Sequence, residues 1–154
     1  MITYKIRKAK LSDIKTIHEL INYYAKRDLL LNRSLMELYD HIRDFFICEY
    51  KSKIIAICSL NICWQDLAEI RSLAVKKGFQ NKGVGTELIK ECIKEAKELG
   101  IKRVFTLTPS PKFFIKQGFK KTKKELLPQQ IWAFCVQCVK FPNCDETALI
   151  YDRL

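Results

Sequence analysis

Six residues, Gln80-Asn81-Lys82-Gly83-Val84-Gly85, join an apolar run to an amphipathic segment, and they constrain the fold more than any other part of the chain. The run before them, 67–75, is typical of a strand, and the segment after them, 86–99, is typical of a helix. Glycines at such a junction let backbone N–H groups approach a ligand with no Cβ in the way. The N–H groups and the dipole of the helix start favour an anion. The sequence therefore predicts a turn that binds a pyrophosphate.

The remaining pattern predicts a single α/β domain over residues 1–154. The other expected elements are a strand at 2–7, a helix capped by Ser12 with Ile14, Ile17, Ile21 and Tyr24 on its apolar face, a short helix opened by a capping box at Ser34–Glu37, a hairpin of 45–48 and 54–60, a strand at 103–107, a short helix ending at Gly118-Phe119, a further strand, an irregular segment and a last strand. The helix after the turn places Leu88, Ile89, Cys92, Ile93, Ala96 and Leu99 on one side.

The bulk composition is that of a globular protein. Of the 154 residues, 48% are hydrophobic and 29% are charged, and no apolar run approaches the ~20 residues of a membrane span. The first residues alternate like a strand and lack the apolar stretch of a signal peptide. We therefore expect a cytoplasmic location and no membrane partner.

The net charge of +11 would suit a nucleic acid, but the lysines are spread along the chain and no aromatic-basic stacking motif accompanies them. We expect no nucleic-acid partner, since a polyanionic cofactor or an acidic substrate suits a basic surface equally well.

The seven cysteines are scattered, as free thiols in a reducing compartment would be. Cys58, Cys63 and Cys92 lie in apolar segments and are expected to be buried. Cys135, Cys138 and Cys144 have the spacing of part of a zinc site, but no histidine lies nearby. We expect no metal, and favour thiols packed in the core over a zinc site.

Two glycine-rich motifs are excluded around the turn. A dinucleotide site requires Gly-x-Gly-x-x-Gly near a first strand, and a P-loop requires Gly-x4-Gly-Lys-Ser/Thr. The observed Gln-x-x-Gly-x-Gly instead resembles the acyl-CoA-binding motif of the GNAT N-acetyltransferases. The flanks agree, because a strand with a carboxylate, Glu69, precedes the turn, and a strand, a short helix and the pair Gly118-Phe119 follow it.

This resemblance implies a mixed, mostly antiparallel sheet flanked by helices and splayed between its fourth and fifth strands. It implies acetyl-CoA as cosubstrate, with the pantetheine along Leu73–Val75, the pyrophosphate on the N–H groups of 82–86, and the Leu73 N–H stabilising the oxyanion. The expected cofactor-binding residues are Leu73, Ala74, Val75, Gln80, Asn81, Lys82, Gly83, Val84, Gly85, Thr86 and Phe114.

Glu69 occupies the strand position where many family members carry their catalytic base, and an amine must lose a proton before it attacks a thioester. Arg71 shares its face of the strand, so a structural ion pair is the alternative. Many members also carry a tyrosine as the acid for the departing thiolate. Phe114 stands at that position here, which leaves the acid to solvent or to another group.

Segments outside the cofactor motif resemble the short amino-acid N-acetyltransferases of the N-acetylglutamate synthase type; these segments are 30–34, 67–75, 105–108, 127–132 and 141–146. Glutamate presents two carboxylates, which guanidinium groups bind well. Arg33 and Arg71 are therefore the expected substrate-binding residues, with Ser34 and Ser72 as hydroxyl donors. For Arg33, the alternative is a solvated residue beside a helix cap.

The resemblance thus implies an enzyme that acetylates the α-amine of an amino acid, L-glutamate, in the first step of arginine biosynthesis. Another acceptor (glutamine, a polyamine or a protein amine) and a non-catalytic acyl-CoA sensor are the alternatives. A homodimer is left open.

Overall fold

A computed structural model describes residues 3–127 and 146–154 of the chain. Within these ranges the strands are β1 Lys5–Lys8, β2 Phe45–Tyr50, β3 Lys53–Trp64, β4 Leu67–Val75, β5 Arg103–Thr108, β6 Lys120–Lys121 and β7 Thr147–Tyr151. The α-helices are α1 Ile14–Ala25, α2 Leu35–Asp40, α3 Val84–Glu98 and α4 Pro111–Lys116. None of the helices in the described ranges is long and apolar enough to cross a membrane.

The strands form one mixed sheet in the order β1-β2-β3-β4-β5-β7-β6. The pairs β1–β2, β2–β3, β5–β7 and β6–β7 are antiparallel, whereas β4 and β5 are parallel. The parallel register joins Leu67–Glu69 to Arg103–Phe105, which is only the first part of the nine-residue strand β4. A mostly antiparallel sheet with one short parallel contact confirms the predicted fold class.

Contacts divide the chain into two compact units whose boundary passes through β3 and β4. The first unit contains residues 1–61 and 70–95, and the second contains 62–69 and 96–154. The expectation of a single domain stays a prediction.

The core of the first unit is built on the apolar face of α1. Its buried residues are Ile14, Ile17, Ile21, Tyr24, Leu38, Phe45, Ile47, Ile57 and Ala74. The predicted helix face is therefore confirmed, and each large aliphatic side chain buried there contributes about 1.5–3 kcal/mol of hydrophobic free energy.

The predicted Ser12 cap of α1 is wrong. Ser12 lies in a 3-10 turn, Leu11–Asp13, and the α-helix begins at Ile14. The Asp13 carboxylate accepts a hydrogen bond from the Lys10 N–H at 2.7 Å and pairs with Arg7 at 2.8 Å. A buried carboxylate with two partners thus fixes the helix entrance.

The β2–β3 hairpin is tighter than predicted. Its turn is Lys51-Ser52, with φ of 49° and 63°, and both strands extend beyond the expected bounds. Two positive φ values in a two-residue turn match the right-handed twist of the flanking strands. At the chain start, β1 covers Lys5–Lys8 rather than 2–7, with residue 2 outside the described ranges.

The helix after the turn begins at Val84 and ends at Glu98, so the expected bounds of 86–99 are wrong by up to two residues. The chain leaves the helix at Gly100, whose φ is 84°. Leu99 is 59% exposed, because the helix ends before it, and its predicted place on the apolar face is wrong.

The described cysteines are free thiols, as predicted. Cys58 and Cys92 are buried with their sulfurs 3.6 Å apart, whereas Cys63 is only half-buried. The hydrogen bond to Cys58 and burial both raise the pKa of Cys92, so Cys92 packs as a small neutral hydrophobe.

The second unit has its own core, in which Leu67, Phe105, Leu127 and Ala148 are buried. The edge strand β6 pairs with β7 and confirms the strand expected after the short helix, although its two lysines carry no alternating apolar pattern.

Candidate active site

The turn between β4 and α3 is shaped by backbone that only a few residue types adopt. Gly78, Asn81 and Gly83 have φ of 96°, 60° and 82°. A Cβ added at Gly83 would meet nothing within 4 Å, so glycine is required there for its backbone angle and not for space. Lys82 and Gly83 are exposed directly before the first turn of α3. This is the geometry in which helix N–H groups bind an anion.

The Gln80 side chain faces the protein. Its Nε2 donates hydrogen bonds to Tyr24 Oη at 2.8 Å and to the Val75 carbonyl at 3.2 Å. The Tyr24 hydroxyl itself donates to the same carbonyl. Gln80 therefore ties the turn to the end of β4 and to helix α1.

The last part of β4 presents backbone groups away from β3. The Lys76 N–H donates to the Ile55 carbonyl of β3 at 2.7 Å. Because backbone groups of successive strand residues point to opposite edges, those of Val75 and Leu73 point away from β3. Ser72, with φ of 56°, interrupts the regular strand just before Leu73, as a bulged residue does.

Arg33 is only 3% exposed to solvent, so the alternative of a solvated residue is wrong. Its Nε donates to Glu37 Oε1 at 2.9 Å, and its Nη1 donates to Ser72 Oγ at 3.1 Å and Ser59 Oγ at 3.4 Å. The guanidinium carbon lies 5.1 Å from the Phe45 ring centroid. Its Nη2 is buried and has no hydrogen-bond partner among residues 3–127 and 146–154.

The electrostatics of this guanidinium favour an anion. Burial lowers the pKa of Arg33, and the nearby positive charge of Arg71 lowers it further, against the opposite effect of Glu37. Leaving buried N–H groups unpaired costs about 1–3 kcal/mol or more for a charged group. A carboxylate that reached Nη2 would relieve both the unpaired donor and the repulsion from Arg71.

The two serines predicted beside these arginines have different partners. Ser34 Oγ accepts the Glu37 N–H at 3.1 Å, so it caps α2 as the capping box predicts. The Glu37 carboxylate binds Arg33. Ser72 lies on β4 and accepts from Arg33.

Glu69 and Arg71 are both half-buried on β4. Glu69 pairs in register with Phe105 of β5, and the Arg71 carbonyl accepts a hydrogen bond from Ser59 Oγ at 2.9 Å. Ser59 is fully buried, so it links the Arg71 backbone to the Arg33 guanidinium.

Sequence reasoning missed Tyr24 and Ser59. Tyr24 was expected only as a core residue, and Ser59 lies in an apolar strand. The available signal was the hydroxyl itself, since a hydroxyl in a core position needs a partner.

Phe114 is 4% exposed and makes edge-on contacts with Phe113 and Phe119, with ring centroids 5.2 and 5.3 Å apart. It is a packing residue of the second unit and carries no proton to give. In the described ranges, no group of three or more His, Cys, Asp or Glu could hold a metal. Cys135, Cys138 and Cys144 lie outside those ranges.

The family model and the relatives that match this chain are those of acetyltransferases. The model of the acetyltransferase (GNAT) family matches residues 11–119. An uncharacterized N-acetyltransferase of Chlorobaculum tepidum is 40% identical over 145 residues, 94% of each chain. An amino-acid acetyltransferase of Mycobacterium tuberculosis is 32% identical over 117 residues, which cover 74% of this chain and 67% of the relative.

Among solved structures, N-acetylglutamate synthase from Neisseria gonorrhoeae, complexed with coenzyme A and N-acetyl-glutamate, superposes with a TM-score of 0.85 and 27% identity. The match covers 97% of this chain but only 35% of that one. This chain therefore corresponds to about a third of the larger synthase.

Proposed function

Because this chain belongs to the acetyltransferase (GNAT) family, we propose that it transfers the acetyl group of acetyl-CoA to the α-amine of L-glutamate, the first step of arginine biosynthesis. The acetyltransferase class and the use of acetyl-CoA follow from the family and from the CoA-bound structural neighbour. The amino-acid acceptor is the step that we add.

One observation carries the choice of acceptor: among the described residues, the buried Nη2 of Arg33 has no hydrogen-bond partner. The positive charge of a second arginine, Arg71, also lowers the pKa of Arg33. Two neighbouring guanidinium groups suit a substrate with carboxylates better than a polyamine, whose charge they would repel. The synthase that this fold resembles was crystallised with N-acetyl-glutamate, which agrees with an acidic acceptor.

The turn supplies the cosubstrate site in this proposal. The N–H groups of residues 82–86 hold the pyrophosphate, and the helix dipole of α3 adds to the attraction. Leu73 presents its backbone along the edge of β4 that faces away from β3, where an extended pantetheine can pair with it. The Leu73 N–H then stabilises the negative charge that grows on the thioester oxygen.

Glu69 acts as the base. Its carboxylate takes one proton of the glutamate ammonium, and the freed amine attacks the acetyl carbonyl carbon. The attacking nitrogen gives a second proton to solvent as the C–S bond breaks, which leaves the amide and releases the thiolate of CoA. Because Phe114 has no hydroxyl, solvent protonates that thiolate. Arg33 and Arg71 hold the carboxylates, with hydroxyl help from Ser34 and Ser72.

A thiol-release assay with acetyl-CoA and a panel of amines tests this proposal. We expect turnover with L-glutamate well above that with glutamine, polyamines or a lysine peptide. Turnover with polyamines or peptides but not with glutamate would contradict the assigned acceptor. Tight CoA binding without turnover of any amine would indicate an acyl-CoA sensor.

The Arg33 assignment is tested by Arg33→Lys, which keeps the charge but loses the planar fork. We expect the KM for glutamate to rise about tenfold to a hundredfold while the KM for acetyl-CoA changes less than twofold. Arg27→Lys is the matched control, because Arg27 lies on the same loop but stacks on the exposed Tyr23. Equal changes in both KM values for Arg33→Lys would exclude a role specific to the acceptor.

A further inference from the structure

Three groups meet where β4 enters the cofactor turn: the Val75 carbonyl, the Tyr24 hydroxyl and the Gln80 carboxamide. Gln80 Nε2 lies 2.8 Å from Tyr24 Oη and 3.2 Å from the Val75 oxygen, to which Tyr24 also donates. A carbonyl oxygen has two lone pairs, and both are used here. The protein itself therefore saturates the last carbonyl of β4.

Because both lone pairs of the Val75 carbonyl are used, fewer backbone groups of β4 can pair with a pantetheine arm. The Val75 carbonyl cannot accept from an amide of the cosubstrate without losing Tyr24 or Gln80. The Leu73 carbonyl, which points to the same edge of the strand, is left as the acceptor for that pairing, because the Leu73 N–H is assigned to the thioester oxygen. The bond from Tyr24 thus serves the turn, and does not compete with the ligand.

The backbone of Tyr24 also fixes the end of α1. Its carbonyl accepts the N–H groups of Arg27 at 3.1 Å and Leu29 at 3.0 Å, which closes the end of α1 around Asp28 with its φ of 57°. That turn leads directly into the segment that carries Arg33. One residue therefore fixes the end of α1 through its backbone and the cofactor turn through its side chain.

The hydroxyl is held as a donor. Tyr24 is 8% exposed, and burial raises its pKa, although the hydrogen bond from Gln80 acts in the opposite direction. The phenol therefore stays protonated and donates to Val75 throughout the physiological pH range. A phenylalanine would fill the same core space without this bond.

We propose that Tyr24 is a positioning residue for acetyl-CoA. Through its hydrogen bonds with Val75 and Gln80, Tyr24 holds the turn 76–83 in the form that binds CoA. This inference rests on the proposed placement of the cosubstrate on that turn. It requires no contact between Tyr24 and the ligand. Its effect is on the affinity for CoA and not on the chemical step.

The test compares Tyr24→Phe with Tyr23→Phe, since Tyr23 is the exposed neighbour whose ring contacts Tyr24 edge-on. Direct CoA binding by titration calorimetry and steady-state kinetics are measured on each. For Tyr24→Phe we expect about fivefold weaker CoA binding and an equal rise in the KM for acetyl-CoA, the usual effect of one lost hydrogen bond. The kcat, the KM for the acceptor and the melting temperature of a correctly folded variant should stay close to wild type.

A double-mutant cycle with Gln80→Ala makes the inference specific. If the two side chains act through one network, the double variant binds CoA about as weakly as the weaker single variant. Wild-type affinity in Tyr24→Phe, effects that multiply in the double variant, or a loss of kcat with unchanged CoA affinity would each overturn the inference. The inference would also be overturned if Tyr24→Phe and Tyr23→Phe lost melting temperature and CoA affinity to the same extent.

The CoA measurement separates this inference from the proposed acceptor. A protein that binds CoA through Tyr24 but acetylates no amino acid would refute the proposed function and support the inference. A wild-type protein that does not bind CoA would contradict both.

Discussion

The cofactor turn and the arginine site lie in the same compact unit but are built in opposite ways. The turn is a single stretch, 76–83, whose positive-φ positions are its own glycines and Asn81, and to which Tyr24 adds one bond from α1. The arginine site gathers Arg33, Phe45, Ser59 and Ser72 from four separate places in the sequence. A local motif can therefore be identified from its residues alone, whereas a site made by packing becomes evident only in the folded chain. The first region points to the cosubstrate, and the second to the acceptor.

The largest effect is expected from a residue that serves neither binding region alone. Glu69→Gln removes the proposed base and should lower kcat by about a hundredfold to ten-thousandfold, with the KM for acetyl-CoA close to normal. Steady-state kinetics of thiol release measure it. Glu98→Gln, on the exposed end of α3, is the control. Unchanged turnover in Glu69→Gln would remove Glu69 as the base.

The arginine site can be weakened without touching the turn. Ser59→Ala removes an Nη1 partner of Arg33 and the bond to the Arg71 carbonyl, so both arginines lose a support. We expect the KM for glutamate to rise about fivefold to tenfold while CoA binding is kept. A fall in CoA affinity of the same size would mean that the two regions are not separate.

The turn can be broken alone by a change in backbone preference. Gly83→Ala forces an L-residue into a φ of 82° at a cost of about 1–2 kcal/mol, and the relaxation that follows should weaken CoA binding severalfold. Gly100→Ala is a matched control, since Gly100 has a φ of 84° and equally open surroundings at the end of α3. Both variants should lose similar stability, and only Gly83→Ala should lose CoA affinity. Equal CoA affinities in the two would contradict the assignment of the turn.

The smallest effect concerns stability and should leave both regions intact. The ion pair with Arg7 holds the pKa of Asp13 below its usual value. A carboxylate with a lowered folded-state pKa stabilises the fold above its unfolded pKa, near pH 4, and loses this contribution as the pH falls through the folded value. Chemical denaturation between pH 6 and pH 3 should therefore show a steeper loss of stability in wild type than in Asp13→Asn. Parallel curves would show that the pair contributes nothing.

Much of the fold could be predicted because its signals are local. The helix face of α1, the bounds of β4 and the cap at Ser34 follow from apolar periodicity and from one hydroxyl. The errors have local causes too: Asp13, not Ser12, directly precedes α1 and pairs with Arg7 of β1, and Leu99 is exposed because Gly100 ends α3 early.

The candidate site was predictable in its residue types more than in its surroundings. Arg33 could be singled out for its chemistry, but its burial depends on Phe45 and Ser59, which no spacing in the sequence connects to it. Gln80 was expected among the cofactor-binding residues, and its carboxamide binds Tyr24, a contact that depends on how α1 packs on the sheet. Sequence periodicity does not predict contacts between side chains that belong to different elements.

The central claim is that separate regions of this acetyltransferase select acetyl-CoA and L-glutamate. The most direct measurement is the pair of KM values, for acetyl-CoA and for L-glutamate, in wild type, Gly83→Ala and Arg33→Lys. We predict that Gly83→Ala raises only the KM for acetyl-CoA and that Arg33→Lys raises only the KM for glutamate. Parallel rises of both constants in both variants, or no acetylation of glutamate by the wild-type protein, would contradict the account.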